Sequence, residues 1–226
     1  MSNTAWSLQA LRTHVSSKYK NADPILATIA SIDRCTRIFG YHVVSARDAL
    51  KGLVDERDAS SPENWLLALG GSERQEEFAL ARVVSEAHIL GCLHTVRSLL
   101  DIFAQLAKQL LQPLPLAVEN CDAKTLVKVM LNSPLRARLA SLLRSDWGKY
   151  VIAFVNVTKH RQLIEHTMTI SSEENRVGIR LMGFSYAREN FSSYWAPDVL
   201  RGAMEVKNAV VELGRMLNQA VIARDA

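Results

Sequence analysis

The longest segment of helical periodicity in the chain runs from Ser72 to Leu111 and stops before Pro113. Acidic residues crowd its first turn, where they complement the helix dipole, and Ser72 precedes Gln75 by the spacing of a capping box. At 1.5 Å per residue such a helix is on the order of 60 Å long. Gly91 is a candidate position for a bend. One long central helix is therefore predicted.

Apolar residues recur at helical spacing in most of the remaining chain, and breakers fall between those segments. A serine followed by proline or by a polar turn marks helix starts at Ser61, Ser133 and Ser145, and Gly70 stands where the first of these helices ends. The other predicted helices span about Thr4 to Tyr19, Pro24 to Val54, Ala123 to Leu131, and Pro197 to the C-terminus.

Between Thr167 and Tyr186 the pattern changes to alternating polar and apolar residues around the turn sequence SEEN, which predicts a β-hairpin. The predicted fold class is all-α: an antiparallel helical bundle with one long central helix and a small β-hairpin (about 167–186) before the C-terminal helix. No internal repeat or linker is evident, so residues 1–226 are expected to form a single domain.

The composition indicates a soluble, cytoplasmic protein. The three cysteines are widely spaced in apolar surroundings, which favours buried reduced thiols over disulfides. The first residues lack the pattern of a secretory signal, and the apolar runs are shorter than the roughly 20 residues that a membrane-spanning helix needs. No membrane association is expected.

Charge is distributed unevenly along the chain, although the formal net charge is only +4. From Lys124 to Arg161 there are eight basic residues against Asp146 alone, a net +7, which is typical of a phosphate-facing surface. The segment from Asp55 to Glu77 is acidic. The alternative is that both segments are solvated faces that pack on each other within a monomer or across a dimer.

Four polar residues lie in the otherwise apolar segment FVNVTKHRQLI. Asn156 and His160 are one helical turn apart on one face, and Lys159 and Arg161 flank that face. His160 is a candidate proton donor or acceptor, Arg161 a bidentate phosphate ligand, and Asn156 and Lys159 positioning groups for a phosphodiester. The alternative is a cluster that complements the dipole at a helix end.

A second polar set lies on the long helix, in HTVRSLLD, where His94, Arg97 and Asp101 form one stripe among apolar neighbours. Polar groups on an apolar helix need partners, and an ion pair of Arg97 with Asp101 would supply them. If this stripe meets the Asn156 and His160 face, these three residues are candidate substrate-binding groups. No metal site or cofactor is predicted, because no ligand set or glycine-rich phosphate loop is present.

The order of EAHILGCLHTVRSLLDIFAQL, a helix ending FVNVTKHRQLI, a hairpin and a closing helix resembles HEPN domains over about residues 72–226. The name stands for higher eukaryotes and prokaryotes nucleotide-binding. The resemblance implies a helical bundle of four or five helices that often dimerises. It also implies metal-independent endoribonuclease activity, or a silent relative, in bacterial defence, toxin or RNA-processing systems.

The HEPN signature is an arginine, commonly a polar residue such as asparagine, and a histidine with four to six residues between arginine and histidine. In one alignment Asn156 and His160 hold the last two positions, and Val155 stands in place of the arginine. In another, Arg161 and His166 have the required spacing and Gln162 takes the polar position. Arg37 with His42 and Arg82 with His88 also fit the spacing.

Two functions from different classes follow. The first is a module that binds RNA, in whose cleaving form His160 transfers a proton while Arg161 or Arg97 offsets phosphate charge. The second is a non-enzymatic helical protein that forms a homodimer or binds a protein partner. The first is favoured, because the basic segment and the Asn156 and His160 face lie in one region of the chain.

Overall fold

The structure, a computed structural model, describes residues 5–111 and 121–222. Within those ranges the chain is mostly helical, with eight helices and small antiparallel sheets near the C-terminus. The helices are α1 (Leu8–Lys18), α2 (Asp23–Asp48), α3 (Pro62–Leu69), α4 (Gln75–Leu110), α5 (Ala123–Val129), α6 (Pro134–Arg144), α7 (Asp146–His160) and α8 (Ala196–Ile222). The strands are β1 (His166–Ser171), β2 (Arg176–Leu181), β3 (Phe184–Tyr186), β4 (Glu189–Phe191) and β5 (Tyr194–Trp195).

Local signals placed several helix ends correctly. The Ser61 hydroxyl accepts a hydrogen bond from Asn64 N at the start of α3, and Gly70 ends that helix in the left-handed conformation with φ of 80°. Ser133 caps α6 in the same way. Ser145 lies between α6 and α7, and its hydroxyl accepts from Gly148 N. The cap-then-proline predictions for α3 and α6 are therefore confirmed.

Two predicted boundaries are wrong. The capping box at Ser72 does not form, because the Ser72 hydroxyl accepts from Arg74 N and donates to Glu63, and α4 begins at Gln75. α2 ends at Asp48 rather than near Val54, because the next residues form turns in which Gly52 has φ of 78°. The predicted start of α1 at Thr4 and the last residues of α8 lie outside the described ranges.

The long helix is confirmed as α4, which has 36 residues and is about 54 Å long at 1.5 Å per residue. Among the described residues, it is the one helix long and apolar enough to cross a membrane by length and composition. Half of its most apolar 18-residue window is buried inside the protein. That burial is consistent with a core helix of a soluble protein.

The strand region contains more than the single hairpin predicted. β1 and β2 form the expected antiparallel hairpin, with His166 opposite Leu181 and Ser171 opposite Arg176. β5 pairs with the other edge of β2, which makes a three-stranded sheet in the order β1-β2-β5. β3 and β4 form a second hairpin. Alternation over residues 167–186 could not reveal β4 and β5, which have three and two residues.

The chain divides into two compact units. Unit 1 comprises the described residues within Met1–Ile38, Thr95–Lys149 and Met204–Ala226, and unit 2 comprises Phe39–His94 and Tyr150–Ala203. The helices α2, α4, α7 and α8 contribute residues to both units. The antiparallel bundle and the single domain stay predictions.

Unit 1 is organised around large apolar side chains of α1, α4 and α8. The Trp6 indole packs so closely against Gly214 that a Cβ at this position would lie 2.0 Å from the ring. Only glycine allows this close approach. The indole N–H donates to Asn218 Oδ1 at 3.0 Å, and the ring packs edge-on against Phe103. Cys35 is half-buried and Cys121 buried in this unit, whereas the buried Cys92 of α4 belongs to unit 2; all three are free thiols.

Unit 2 contains an aromatic cluster that joins α7 to the strands. The Tyr150 ring contacts Phe154 on its own helix and lies within 6.0 Å of the rings of Phe184, Phe191 and Tyr194. Phe184 and Phe191 stack at 5.0 Å across the β3–β4 hairpin. Through Tyr150 and Phe154 this cluster holds the middle of α7 against the second hairpin, and it therefore helps to position the polar residues at the end of α7.

Candidate functional site

The polar residues at the C-terminus of α7 are exposed. The helix ends where Arg161 N and Gln162 N both donate to the Val157 carbonyl, a pattern that closes the last turn. Lys159, His160 and Arg161 project from this end into solvent. Their positive charge complements the partial negative charge of a helix C-terminus. The helix-end alternative and the ligand-binding hypothesis therefore both apply to the same side chains.

Arg161 is oriented by the β3–β4 hairpin. Its guanidinium group lies 5.6 Å from the centre of the Tyr186 ring and donates to the Ser185 carbonyl at 3.4 Å. Ala187 and Arg188 form the tip of the hairpin, both with positive φ, as a type I′ turn requires. We call Lys159, His160, Arg161 and Tyr186 the α7 surface. It combines three exposed basic or titratable side chains, one of which, Arg161, lies against the Tyr186 ring.

Asn156 lies on the same face of α7 as His160, but its amide group already has a hydrogen-bond partner. Its amide Nδ2 donates to the Ile152 carbonyl of the same helix at 2.8 Å, and the residue is half-buried. A bond of this kind satisfies the amide within its own helix. Asn156 is therefore held one turn below His160 rather than extended toward solvent.

His94 meets α7 through Thr158. The Thr158 hydroxyl donates to the Phe154 carbonyl at 3.0 Å, so its oxygen accepts from the Nε2–H of His94, also at 3.0 Å. Burial lowers the pKa of His94, and the nearby charge of Lys159 lowers the pKa further. His94 is thus a neutral donor near neutral pH, and it links the two helices.

Arg97 and Asp101 form the ion pair that their spacing predicted. Burial raises the pKa of the Asp101 carboxyl, and the Arg97 guanidinium opposes that rise. Asp122, which caps α5, also interacts electrostatically with both residues. These residues belong to unit 1, whereas His94 belongs to unit 2. Arg97 therefore has carboxylate partners in its own unit.

The basic segment 124–161 is divided between the units. Lys159 and Arg161 lie in unit 2, and the remaining basic residues of the segment lie in unit 1. Arg138 forms an ion pair with Glu212 at 2.8 Å, and Arg136 donates to the Val127 carbonyl at the end of α5. Lys124 and Lys128 are exposed. At least three of the eight basic side chains, Arg136, Arg138 and Arg161, thus make internal contacts, and the segment offers less free charge than the sequence suggested.

His166, the histidine of the second alignment, begins β1 and is only 6% exposed. Neither of its ring nitrogens has a hydrogen-bond partner among the described residues. Burial, with the charge of Arg82, lowers its pKa to about 4. Arg82 also donates to the His166 carbonyl at 3.1 Å. His166 is therefore a neutral core residue near neutral pH.

The structure brings together two histidines that the sequence did not connect. His42 of α2 and His88 of α4 approach with their Nδ1 atoms 2.9 Å apart. Each has an arginine at the HEPN spacing, but Arg37 pairs with Asp33 and Arg82 with the His166 carbonyl. The spacing from an arginine to a histidine drew attention to His42 and His88 separately. Only the crossing of α2 and α4 within unit 2 shows that they are neighbours.

Comparison with known proteins leaves this geometry as the basis for a functional proposal. No protein-family model, no curated protein and no solved structure matches the chain. What the exposed end of α7 can bind therefore follows from the chemistry of its own side chains.

Proposed function

We propose that the protein is a cytoplasmic, HEPN-like module that binds RNA through the α7 surface. The observation that supports this proposal is the position of Arg161, whose exposed guanidinium group is held over the Tyr186 ring at the end of a helix that also presents Lys159 and His160. Exposed cations beside an accessible aromatic ring suit a flexible polyanion whose bases have free faces.

Single-stranded RNA is the proposed ligand. Lys159 and Arg161 would neutralise phosphates, and Arg161 offers a planar fork that fits two phosphate oxygens. Tyr186 is half-buried and keeps part of its ring accessible for an unpaired base. A duplex would present stacked bases to this ring and would leave its face without a partner.

The cleaving form of the proposal uses the same groups. A ribose 2′-hydroxyl attacks the adjacent phosphorus while the bond to the 5′-oxygen breaks, which yields a 2′,3′-cyclic phosphate and a free 5′-hydroxyl. His160 would take the proton from the 2′-hydroxyl or return one to the 5′-oxygen, and Arg161 would offset charge on the phosphate. Lys159 would orient the backbone, and Asn156 would do so once its amide leaves the Ile152 carbonyl. No metal ion takes part in this scheme.

The test of RNA binding compares two matched double variants. Fluorescence anisotropy with a labelled, mixed-sequence single-stranded RNA measures the dissociation constant between about 50 and 200 mM salt. Lys159→Ala/Arg161→Ala removes two charges from the α7 surface, and Lys124→Ala/Lys128→Ala removes two exposed charges elsewhere. The first variant should bind at least about tenfold more weakly and lose roughly 1.4 from the salt slope, since each single-strand phosphate contact contributes about 0.7.

The control variant should bind within about twofold of the parent. Equal losses in the two variants would indicate non-specific attraction by net charge, and no RNA affinity at low salt would remove the proposal. Cleavage is assayed on the same RNA in the presence of a chelator. A cyclic phosphate product that disappears in His160→Gln supports the cleaving form, whereas parental cleavage by this variant excludes His160 as the proton-transfer group.

A homodimer is the second candidate function, and an exposed apolar face of unit 2 favours it. This α2–α4 apolar face consists of large side chains that are 37–67% exposed: Tyr41, Val44, Leu80, Val83 and Val84. Exposed large apolar side chains on two helices that contact each other at His42–His88 and Ser85–Ala46 are typical of a protein-interaction surface. Sedimentation velocity should give a dimer that Leu80→Glu/Val83→Glu converts to a monomer, and a monomeric parent at high protein concentration would exclude this function.

A further inference from the structure

His42 and His88 face each other where α2 and α4 cross in unit 2. Their Nδ1 atoms are 2.9 Å apart and their ring centres 5.2 Å apart. The Tyr41 ring contacts both, with ring centres at 5.7 Å from His42 and 5.4 Å from His88. Both imidazoles are partly accessible to solvent. The two Nδ1 atoms are therefore close together, and a small solute can reach the pair from solvent.

Gly91 makes this arrangement sterically feasible. A Cβ at position 91 would lie 2.5 Å from Cε1 and 2.7 Å from both nitrogens of the His42 ring. The ring occupies that space because residue 91 has no side chain. A glycine inside a helix lowers helix stability by about 1 kcal/mol relative to alanine. At position 91 this cost is accompanied by the space that the His42 ring occupies. The sequence suggested a bend at Gly91, but its clearest role is to seat His42.

A proton on one Nδ1 accounts for the 2.9 Å distance as an ordinary hydrogen bond. A metal ion can bind both Nδ1 atoms at the same separation if the rings turn so that both lone pairs point to one side of the nitrogen–nitrogen line. Metal ions bind the neutral form of imidazole.

We propose that His42 and His88 form a binding site for one divalent transition-metal ion, Cu²⁺ or Ni²⁺, held through their Nδ1 atoms. At metal–nitrogen distances of about 2.0–2.1 Å, nitrogens 2.9 Å apart subtend a right angle at the ion. A right angle is that of neighbouring ligands in a tetragonal site, which Cu²⁺ and Ni²⁺ prefer. A tetrahedral Zn²⁺ site would need about 3.3 Å between the nitrogens.

The protein would supply two ligands, and water the remaining ones. Among the described residues, no group of three histidine, cysteine or carboxylate side chains could hold a metal ion. Cys92 lies one turn beyond His88, but it is fully buried, and burial raises the pKa of its thiol to about 12. An ion at the pair would link α2 to α4, and the ring whose Nδ1 carries the proton would hold it on Nε2 instead. This site shares no residue with the α7 surface.

The test uses the full chain, freed of any affinity tag and treated with a chelator before dialysis. Calorimetric titration with Ni²⁺ should give one ion per chain, and His42→Gln and His88→Gln should each weaken binding at least about tenfold. The electron paramagnetic resonance spectrum of the Cu²⁺ complex should show splitting from two nitrogens. Ni²⁺ should raise the thermal unfolding midpoint of the parent and leave that of either variant unchanged.

Two controls separate this site from other ligands on the chain. His160→Gln removes an exposed histidine, and Cys35→Ser removes the half-buried thiol; both should retain parental affinity. Circular dichroism confirms that each variant is folded. Parental Ni²⁺ affinity in the double variant His42→Gln/His88→Gln, absence of any bound ion in the parent, or a two-nitrogen spectrum that survives loss of either histidine would each overturn the proposal.

Discussion

His160 and His166 are six positions apart in the sequence and have opposite environments. His160 ends α7 in solvent, beside Lys159 and Arg161. His166 begins β1 with 6% of its surface exposed, and its pKa is lowered to about 4. The comparison shows that spacing to an arginine, which His166 satisfies and His160 does not, fails to indicate which imidazole can reach a ligand. Exposure and the supply of partners decide it.

The largest expected effect concerns His166 and acid stability. Its folded-state pKa lies below its ordinary value of 6.5, so between about pH 6.5 and 4 the unfolded chain binds more protons and stability falls as pH falls. A difference of about 2.5 pKa units corresponds to about 3 kcal/mol. Denaturant unfolding at several pH values should show a shallower pH dependence for His166→Phe than for the parent.

An unchanged pH profile in His166→Phe would mean that His166 does not titrate differently on folding. His160→Ala is the matched control, because an exposed imidazole should leave the parental profile intact.

A smaller effect is expected at Arg82, which connects α4 to His166. Arg82→Ala removes a charged hydrogen bond to a buried carbonyl and should lower the free energy of unfolding at neutral pH by about 2 kcal/mol. It also removes the positive charge that lowers the pKa of His166, so stability should decline less steeply in acid. The exposed pair of Arg37 with Asp33 provides the comparison, and Arg37→Ala should cost about 0.5 kcal/mol or less.

At the α7 surface the expected effect is on RNA affinity rather than stability. Tyr186→Ala removes one ring on which a base could stack and the ring beneath Arg161, and it should weaken RNA binding by about 1 kcal/mol, roughly fivefold. Tyr186→Phe keeps the ring and should bind within twofold of the parent. Equal weakening in both variants would assign the effect to the hydroxyl and would remove the stacking role.

The smallest expected effect sharpens the contrast with His166. His160→Ala should change the free energy of unfolding by less than about 0.5 kcal/mol, because the side chain is exposed and contributes little packing. Thermal or denaturant unfolding at pH 7 measures this change. A loss of more than about 1 kcal/mol would show that His160 has a structural partner, and the α7 surface would then not be free for a ligand.

The parts of the fold that local chemistry dictates were predictable. Caps at Ser61 and Ser133, the left-handed Gly70 and the long α4 follow from signals within a few residues of one another. The capping box predicted at Ser72 does not form, because the Ser72 hydroxyl donates to Glu63, nine residues earlier. A local sequence pattern does not include such a partner. Short strands such as β5 escape periodicity because they depend on pairing with β2.

The candidate sites show the same division. The Arg97 and Asp101 ion pair was predictable because both residues lie on one helix, one turn apart. The bond from His94 to Thr158 and the pair of His42 with His88 join residues that are 64 and 46 positions apart. A single sequence gives no information about such contacts. Helical periodicity shows which face of a helix is polar, but it does not show which other helix that face contacts.

By itself, the sequence determined where the chain forms helices, which of their faces are apolar, and that basic and titratable groups cluster at the end of α7. Those properties depend on backbone preferences and hydrophobic burial, which act over a few residues at a time. Only the tertiary structure decided that His160 is exposed while His166 is buried, that Arg161 lies over Tyr186, and that His42 reaches His88 across Gly91. Accessibility and proximity between distant segments arise when the helices and strands pack.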